Sequence, residues 1–418
     1  MKKILPFLIL LVVVVLGLLY PTSEITTIPD AKLDSGDTAW LLVSTALVLV
    51  MTPGLAFFYG GMVRKKNVIS TMLQSFVCMG LITVIWVVFG FSLAFGKDIG
   101  GFIGDPRTFF MMNGTLGNAT WPLMPTVPLI LFAMFQLKFA VITPALITGA
   151  FAERIKFNSY LIFLCLFMIF IYSPLAHLTW HPDGLLFQKG VLDFAGGTVV
   201  HMSAGWAALA SALYLKKRNA PDHTPARVSY VILGTGLLWF GWFGFNAGSA
   251  LGANTLAVSA FATTNIAAAT AGLSWMFFDV IHGKKPSVLG FCIGAVVGLV
   301  AITPGSGFVG IAHSAFIGFV AAIISNLAVS IRTKSNVDDT LDVFPCHGIG
   351  GMVGMLMTGI FASKAVNAAG ADGLFFGNAT FFFTQFKGMI IVAAYSFVVG
   401  WVIFKIINVL NPIRVSEV

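Results

Sequence analysis

Eleven apolar segments follow one another along the chain, at roughly 38–60, 68–95, 125–151, 157–178, 195–215, 228–249, 255–281, 287–303, 307–331, 344–362 and 381–406. A helix needs about 20 mainly apolar residues to cross a bilayer. In lipid every backbone N–H and C=O must bond within the protein, so only helices and closed barrels cross. These runs are continuous and lack the period-2 alternation of barrel strands. The pattern predicts an all-α polytopic membrane protein with eleven transmembrane helices. Composition agrees: 58% of residues are hydrophobic and 10% are charged, against about 25% charged in soluble domains. The 44 glycines let such helices approach closely.

Charge sets the expected orientation. One set of alternate loops, with the tail, carries 15 basic residues, among them Arg64, Arg154, Arg218, Arg332 and Arg414. The other carries five: Lys32, Lys97, Arg107, Lys189 and Lys364. Basic loops stay in the cytoplasm, which places the N-terminus outside and the C-terminus inside a cell membrane. The net charge of +8 therefore belongs to those loops, and nucleic acid is not expected as a partner. Residues 1–22 begin with two lysines and an apolar run, as a secretory signal peptide does. The cysteines Cys78, Cys165, Cys292 and Cys346 lie in apolar segments without metal-type spacing. No metal, cofactor or catalytic residue is assigned, and the chain is not expected to be an enzyme.

The segment "LDFAGGTVVH" opens the fifth span with Asp193 eight residues before His201. "DTLDVFPCH" opens the tenth span with Asp339 eight residues before His347. Five spans separate the two. An odd number reverses direction, so the copies cross the membrane oppositely, as in an inverted-topology repeat. The expected organisation is a first repeat at about 37–216, a second at about 228–362, an extra helix at about 381–406 and a short cytosolic tail at 407–418. Substrate paths in such folds lie between the repeats near the midplane. Either histidine alone reads as a core residue bonded to backbone. Facing each other across that interface, they would share a ring proton and stay neutral. They would then offer ring nitrogens to a small polar molecule, or relay protons.

Further residues suit a cation. Phe135 and Phe139 are spaced i, i+4 and share a helix face, as do Phe245 and Ser249. Trp180 ends the fourth span. Aromatic faces attract cations, and a serine oxygen accepts a bond from an N–H donor. Together these residues would make a cation site at the outer mouth, although any single aromatic here also suits lipid or core. Lys138, between the two phenylalanines, would either turn away from that site or repel a cation from it.

The stretches "MTPGLAFFYGGMVRKKN", "ITPALITGAFAERIKFNSY", "LDFAGGTVVHMSAG", "GWFGFNAGSA" and "DDTLDVFPCHGIGGMVG" together resemble the ammonium transporter family (Amt, Mep and Rhesus proteins). The likeness spans about residues 37–414. It implies a homotrimer with one pore in each subunit. By motif, Phe135, Phe139, Trp180 and Ser249 match the external ammonium recruitment site. Phe139 and Phe245 match the stacked gate, and His201 and His347 the paired pore histidines. Asp193 matches a vestibule acid held by backbone and hydroxyl groups. The resemblance also brings three rival expectations. Some relatives are ammonium sensors joined to a signalling domain. Rhesus relatives suggest a gas channel, which the Trp–Phe–Ser mouth fits less well. PII-type regulators dock on a cytosolic tail, which is short here.

Overall fold

The structure, a computed structural model, describes residues 4–19, 25, 27–28, 31–218 and 224–415. The expected end of the signal segment, at residues 20–22, and the last tail residues, 416–418, lie outside them. Among the described residues, twelve helical segments carry the fold. We label them α1 (Leu5–Leu19), α2 (Ser35–Met62), α3 (Lys65–Phe95), α4 (Leu129–Ile147), α5 (Phe157–Gln188) and α6 (Gly197–Leu215). The rest are α7 (Val228–Ala247), α8 (Thr255–Ile281), α9 (Val288–Ile302), α10 (Ile311–Lys334), α11 (Phe344–Phe361) and α12 (Ala379–Leu410).

Each of the eleven apolar segments is helical, and ten are long and apolar enough to cross a membrane. The exception is α9, a helix of 15 residues. Its predicted run continues to 303, but Thr303, Pro304 and the glycines after them turn the chain. Asp34 caps α2 by accepting the Asp37 N–H, Asn254 caps α8 and Ser287 caps α9. Each supplies an oxygen to a first-turn N–H that has no partner within its helix. The polar loop between α3 and α4 carries two short antiparallel ladders, Asp98–Ile99 with Ile103–Gly104 and Thr120–Trp121 with Met124–Pro128.

Glycines set the closest crossings. A Cβ on Gly234 of α7 would lie 2.3 Å from the Phe58 nitrogen of α2. Between α6 and α11 the contacts are reciprocal. A Cβ on Gly205 would lie 2.1 Å from the Gly348 nitrogen, and one on Gly351 would lie 2.9 Å from the Met202 Cγ. Gly205 and Gly351 each follow their histidine by four residues, and Met202 and Gly348 by one. Two copies related by a twofold axis produce such exchange of contacts.

The helices are not regular throughout. Widened π turns interrupt them at Trp86–Gly90, Met168–Tyr172, Gly197–Met202, Phe243–Ala247 and Phe344–Ile349. Such turns rotate the following residues and recur at functional sites. Here three of the five contain His201, Phe245 and His347.

Near the start of α11, buried ion pairs tie the loop ends together. Arg218 bonds Asp338 through Nε at 2.8 Å and Nη2 at 3.0 Å, and reaches Glu153 at 3.1 Å. Glu153 also pairs with Arg64 at 2.5 Å. Burial alone would raise the Asp338 carboxyl, but the bonded Arg218 and the charge of Arg154 hold it down at about 2. The strand-like residues 413–415 lie against 154–156, where the Lys156 N–H donates to the Ile413 carbonyl at 2.9 Å.

Candidate functional site

The two acids open their helices alike. Asp193 accepts the N–H groups of Gly196 at 2.8 Å, Gly197 at 2.7 Å and Thr198 at 2.7 Å, with the Thr198 hydroxyl. Asp339 accepts those of Val343 at 3.1 Å and Phe344 at 2.7 Å. Each thus satisfies first-turn donors that have no partner within the helix. Neither carboxylate bonds a histidine among the described residues.

One turn further along, the histidines meet. His201 Nδ1 and His347 Nδ1 are 3.3 Å apart, and the rings are tilted by 26° with centroids 5.4 Å apart. Both are almost wholly buried, with 1% and 4% exposure. Facing nitrogens at this distance need one proton between them, so one ring donates and the other accepts. His201 Nε2 is buried and has no partner among the described residues. It therefore remains available to a small hydrogen-bonding molecule.

Aromatic rings continue from the pair. His201 stacks on Phe245, centroids 5.9 Å apart at 29°. Phe245 lies over Phe139 at 4.3 Å and 33°. Phe139 meets Phe135 edge-on at 4.9 Å and Trp180 at 5.9 Å. Phe135, Phe139 and Phe245 are buried, whereas Trp180 and Ser249 are only half-buried. The Ser249 hydroxyl donates to the Phe245 carbonyl at 2.8 Å, leaving its oxygen lone pairs as an acceptor. Trp180 Nε1 donates to the Asp193 carbonyl at 3.0 Å. The structure therefore brings together Phe135, Phe139, Trp180, Ser249, Phe245, His201 and His347. Asp193 stands behind Trp180 as a support.

Lys138 is half-buried and forms no hydrogen bond or ion pair among the described residues. In the "HPD" turn after Trp180, His181 Nδ1 accepts the Asp183 N–H at 3.1 Å.

Sequence reasoning missed several neighbours. Trp242 stacks on His201 at 5.2 Å and 22°, and its Nε1 donates to the Thr303 hydroxyl at 3.0 Å. Its only sequence signal is its place three residues before Phe245. His177 joins Asp98 at 2.9 Å and stacks on His181 at 4.2 Å, pinning the loop between α3 and α4 to α5.

The chain is similar to known proteins along most of its length. The profile described as the Ammonium Transporter Family matches residues 39–418. The ammonium transporter of Aquifex aeolicus is 46% identical over 391 residues, covering 93% of this chain and 91% of that one. The crystal structure of Saccharomyces cerevisiae Mep2 superposes with a TM-score of 0.87 at 35% identity, covering 93% of this chain and 89% of Mep2. A structure described as a sensor Amt protein reaches a TM-score of 0.82 at 30% identity, covering 91% of this chain and 95% of its own.

Proposed function

This chain belongs to the ammonium transporter family, and from that premise we propose that it conducts ammonium nitrogen through a narrow pore. The path runs along Trp180, Phe139, Phe245, His201 and His347. Trp180, Phe135, Phe139 and Ser249 recruit ammonium at the outer mouth. Ring faces attract the cation and Ser249 accepts one of its N–H bonds. Asp193 keeps Trp180 and the α6 start in place and adds negative potential beneath the incoming charge.

Beyond the mouth, the stacked Phe139 and Phe245 exclude hydration water. As it is stripped, ammonium gives a proton to water at the outer mouth, an N–H bond breaking and an O–H bond forming, and ammonia passes the rings. It then takes hydrogen bonds from, and gives them to, the edges of the neutral imidazoles. Potassium has no proton to shed, and this pathway lacks rings of carbonyls to replace its water shell. Passage of the cation itself, or of the proton by a separate route through the imidazoles, differs in the charge carried.

The observation that carries this reading is the 3.3 Å contact between His201 and His347 directly beneath the ring pair. The basic loops support a cytoplasmic C-terminal side in a cell membrane, and the family likeness supports a homotrimer with a pore in each subunit. In this reading Lys138 turns away from the mouth.

The likeness to a sensor Amt protein supports a second reading, a receptor that binds ammonium and hardly conducts it. Uptake of labelled methylammonium into liposomes, with current recorded in parallel, separates the two. Saturable uptake supports conduction, and charge moved per molecule identifies the conducted species. Binding without flux supports the sensor.

A further inference from the structure

Aligning His201 on His347 sets Asp193 on Asp339 and Gly196 on Asp342. Both members of the last pair have positive φ, 120° at Gly196 and 57° at Asp342. Glycine enters that region freely, and a residue with a Cβ enters it at a cost. The first copy thus carries the residue that fits the backbone. The second carries a carboxylic acid there.

Helix capping does not require that acid, because Asp339 already accepts the N–H groups of Val343 and Phe344. Asp342 instead faces Arg332 at the end of α10. Its Oδ1 receives both the Arg332 Nε at 2.7 Å and the Nη2 at 2.6 Å. Its Oδ2 has no hydrogen bond among the described residues. Asp342 and His347 line one cavity of about 160 Å³, on the side of the protein that carries the basic loops.

We propose that Asp342 is the proton partner of the inner pore mouth, where an amine that has passed His347 takes up a proton in place of the one it gave up outside. The inference rests on the conduction reading above. In the step, the O–H bond of protonated Asp342 breaks and an N–H bond forms on the amine. An ammonium ion and a carboxylate result. Arg332 holds the carboxylate, which takes its next proton from cytosolic water.

The groups facing Asp342 are Arg332 from α10, Asp339 from its own loop, Tyr59 from α2, and Cys346 and His347 from α11. The cavity residues of α9 are apolar. Burial pushes the Asp342 carboxyl up to about 7, Arg332 opposing and Asp339 adding to it. Its proton is thus held closer to neutral pH than that of an ordinary carboxyl, the direction a proton partner requires.

The test uses full-length protein in liposomes, labelled methylammonium outside at fixed pH, and luminal pH of 6, 7 or 8. Uptake is expressed as the ratio of variant to wild type, which cancels the changing driving force. Asp342→Asn should give a ratio of about one-third or less at luminal pH 6, rising towards one at pH 8, where the wild-type acid is ionised. Asp342→Gly restores the residue of the first copy, relieves the backbone and should behave the same. A ratio of one at every pH overturns the proposal. So does a uniform loss independent of pH, which marks a structural role. Uptake by wild type with unaffected variants removes this inference alone. No uptake by wild type removes the conduction reading and this inference with it.

Discussion

The first and second acid–histidine segments are built on one plan and diverge in how the acid is used. In the first copy, Asp193 binds four backbone N–H groups and a hydroxyl, and the position three residues later is a bare glycine. In the second copy, Asp339 binds two N–H groups, and a second acid, Asp342, follows it and pairs with Arg332. The first copy concentrates its polar bonding in one cap beside Trp180. The second copy divides the work, so that one acid caps the helix and the other lines a cavity. One backbone plan thus carries different electrostatics in its two copies while the histidines remain equivalent.

The histidines are where the copies cooperate, so the largest expected effect comes from removing both rings. His201→Ala combined with His347→Ala should abolish the preference for ammonium over potassium, read as current in reconstituted protein under each cation. The double variant leaves an apolar channel in which water and ions meet no neutral hydrogen-bonding edge. Unchanged discrimination would sink the paired-histidine path. It would also make the equivalence of the two copies a matter of packing alone.

The caps should separate the copies next. Asp193→Ala leaves four N–H donors and a hydroxyl without their acceptor, at a cost of about 3–5 kcal/mol. Asp339→Ala releases two donors, at about 2 kcal/mol. Thermal unfolding in detergent measures both. Equal losses would break the contrast between a concentrated and a divided device.

Much of this was legible in the chain itself. The apolar runs gave the helices because a bilayer accepts few alternatives, and the repeated Asp–His spacing pointed to the pair because a buried imidazole needs a partner. Phe135, Phe139, Phe245 and Ser249 were visible through their i, i+4 spacing. Trp242 was not, since a tryptophan in an apolar span has no signal that separates pore from core. The π turns at 197–202 and 344–349 were hidden as well, because the change from 3.6 residues per turn arises from packing around glycine and proline rather than from local pattern. In the sequence, nothing separates Asp342 from the other loop acids. Only its backbone conformation, set beside that of Gly196, distinguishes it.

The smallest expected effect tests that last pair directly. Gly196 has φ of 120°, and a Cβ there would lie 2.8 Å from the Val200 Cγ2. Gly196→Ala should therefore cost about 1–2 kcal/mol through strain and crowding. Asp342→Gly removes a left-handed side-chain residue, worth about 1 kcal/mol, and loses a mostly buried ion pair whose net worth, after the desolvation of its two charges, is about the same. Its stability in the same unfolding measurement should thus lie within about 1 kcal/mol of wild type. Such a result means the second copy keeps its acid for something other than folding. A large loss would assign Asp342 to the scaffold and make the two copies alike in kind, differing only in how many bonds each acid makes.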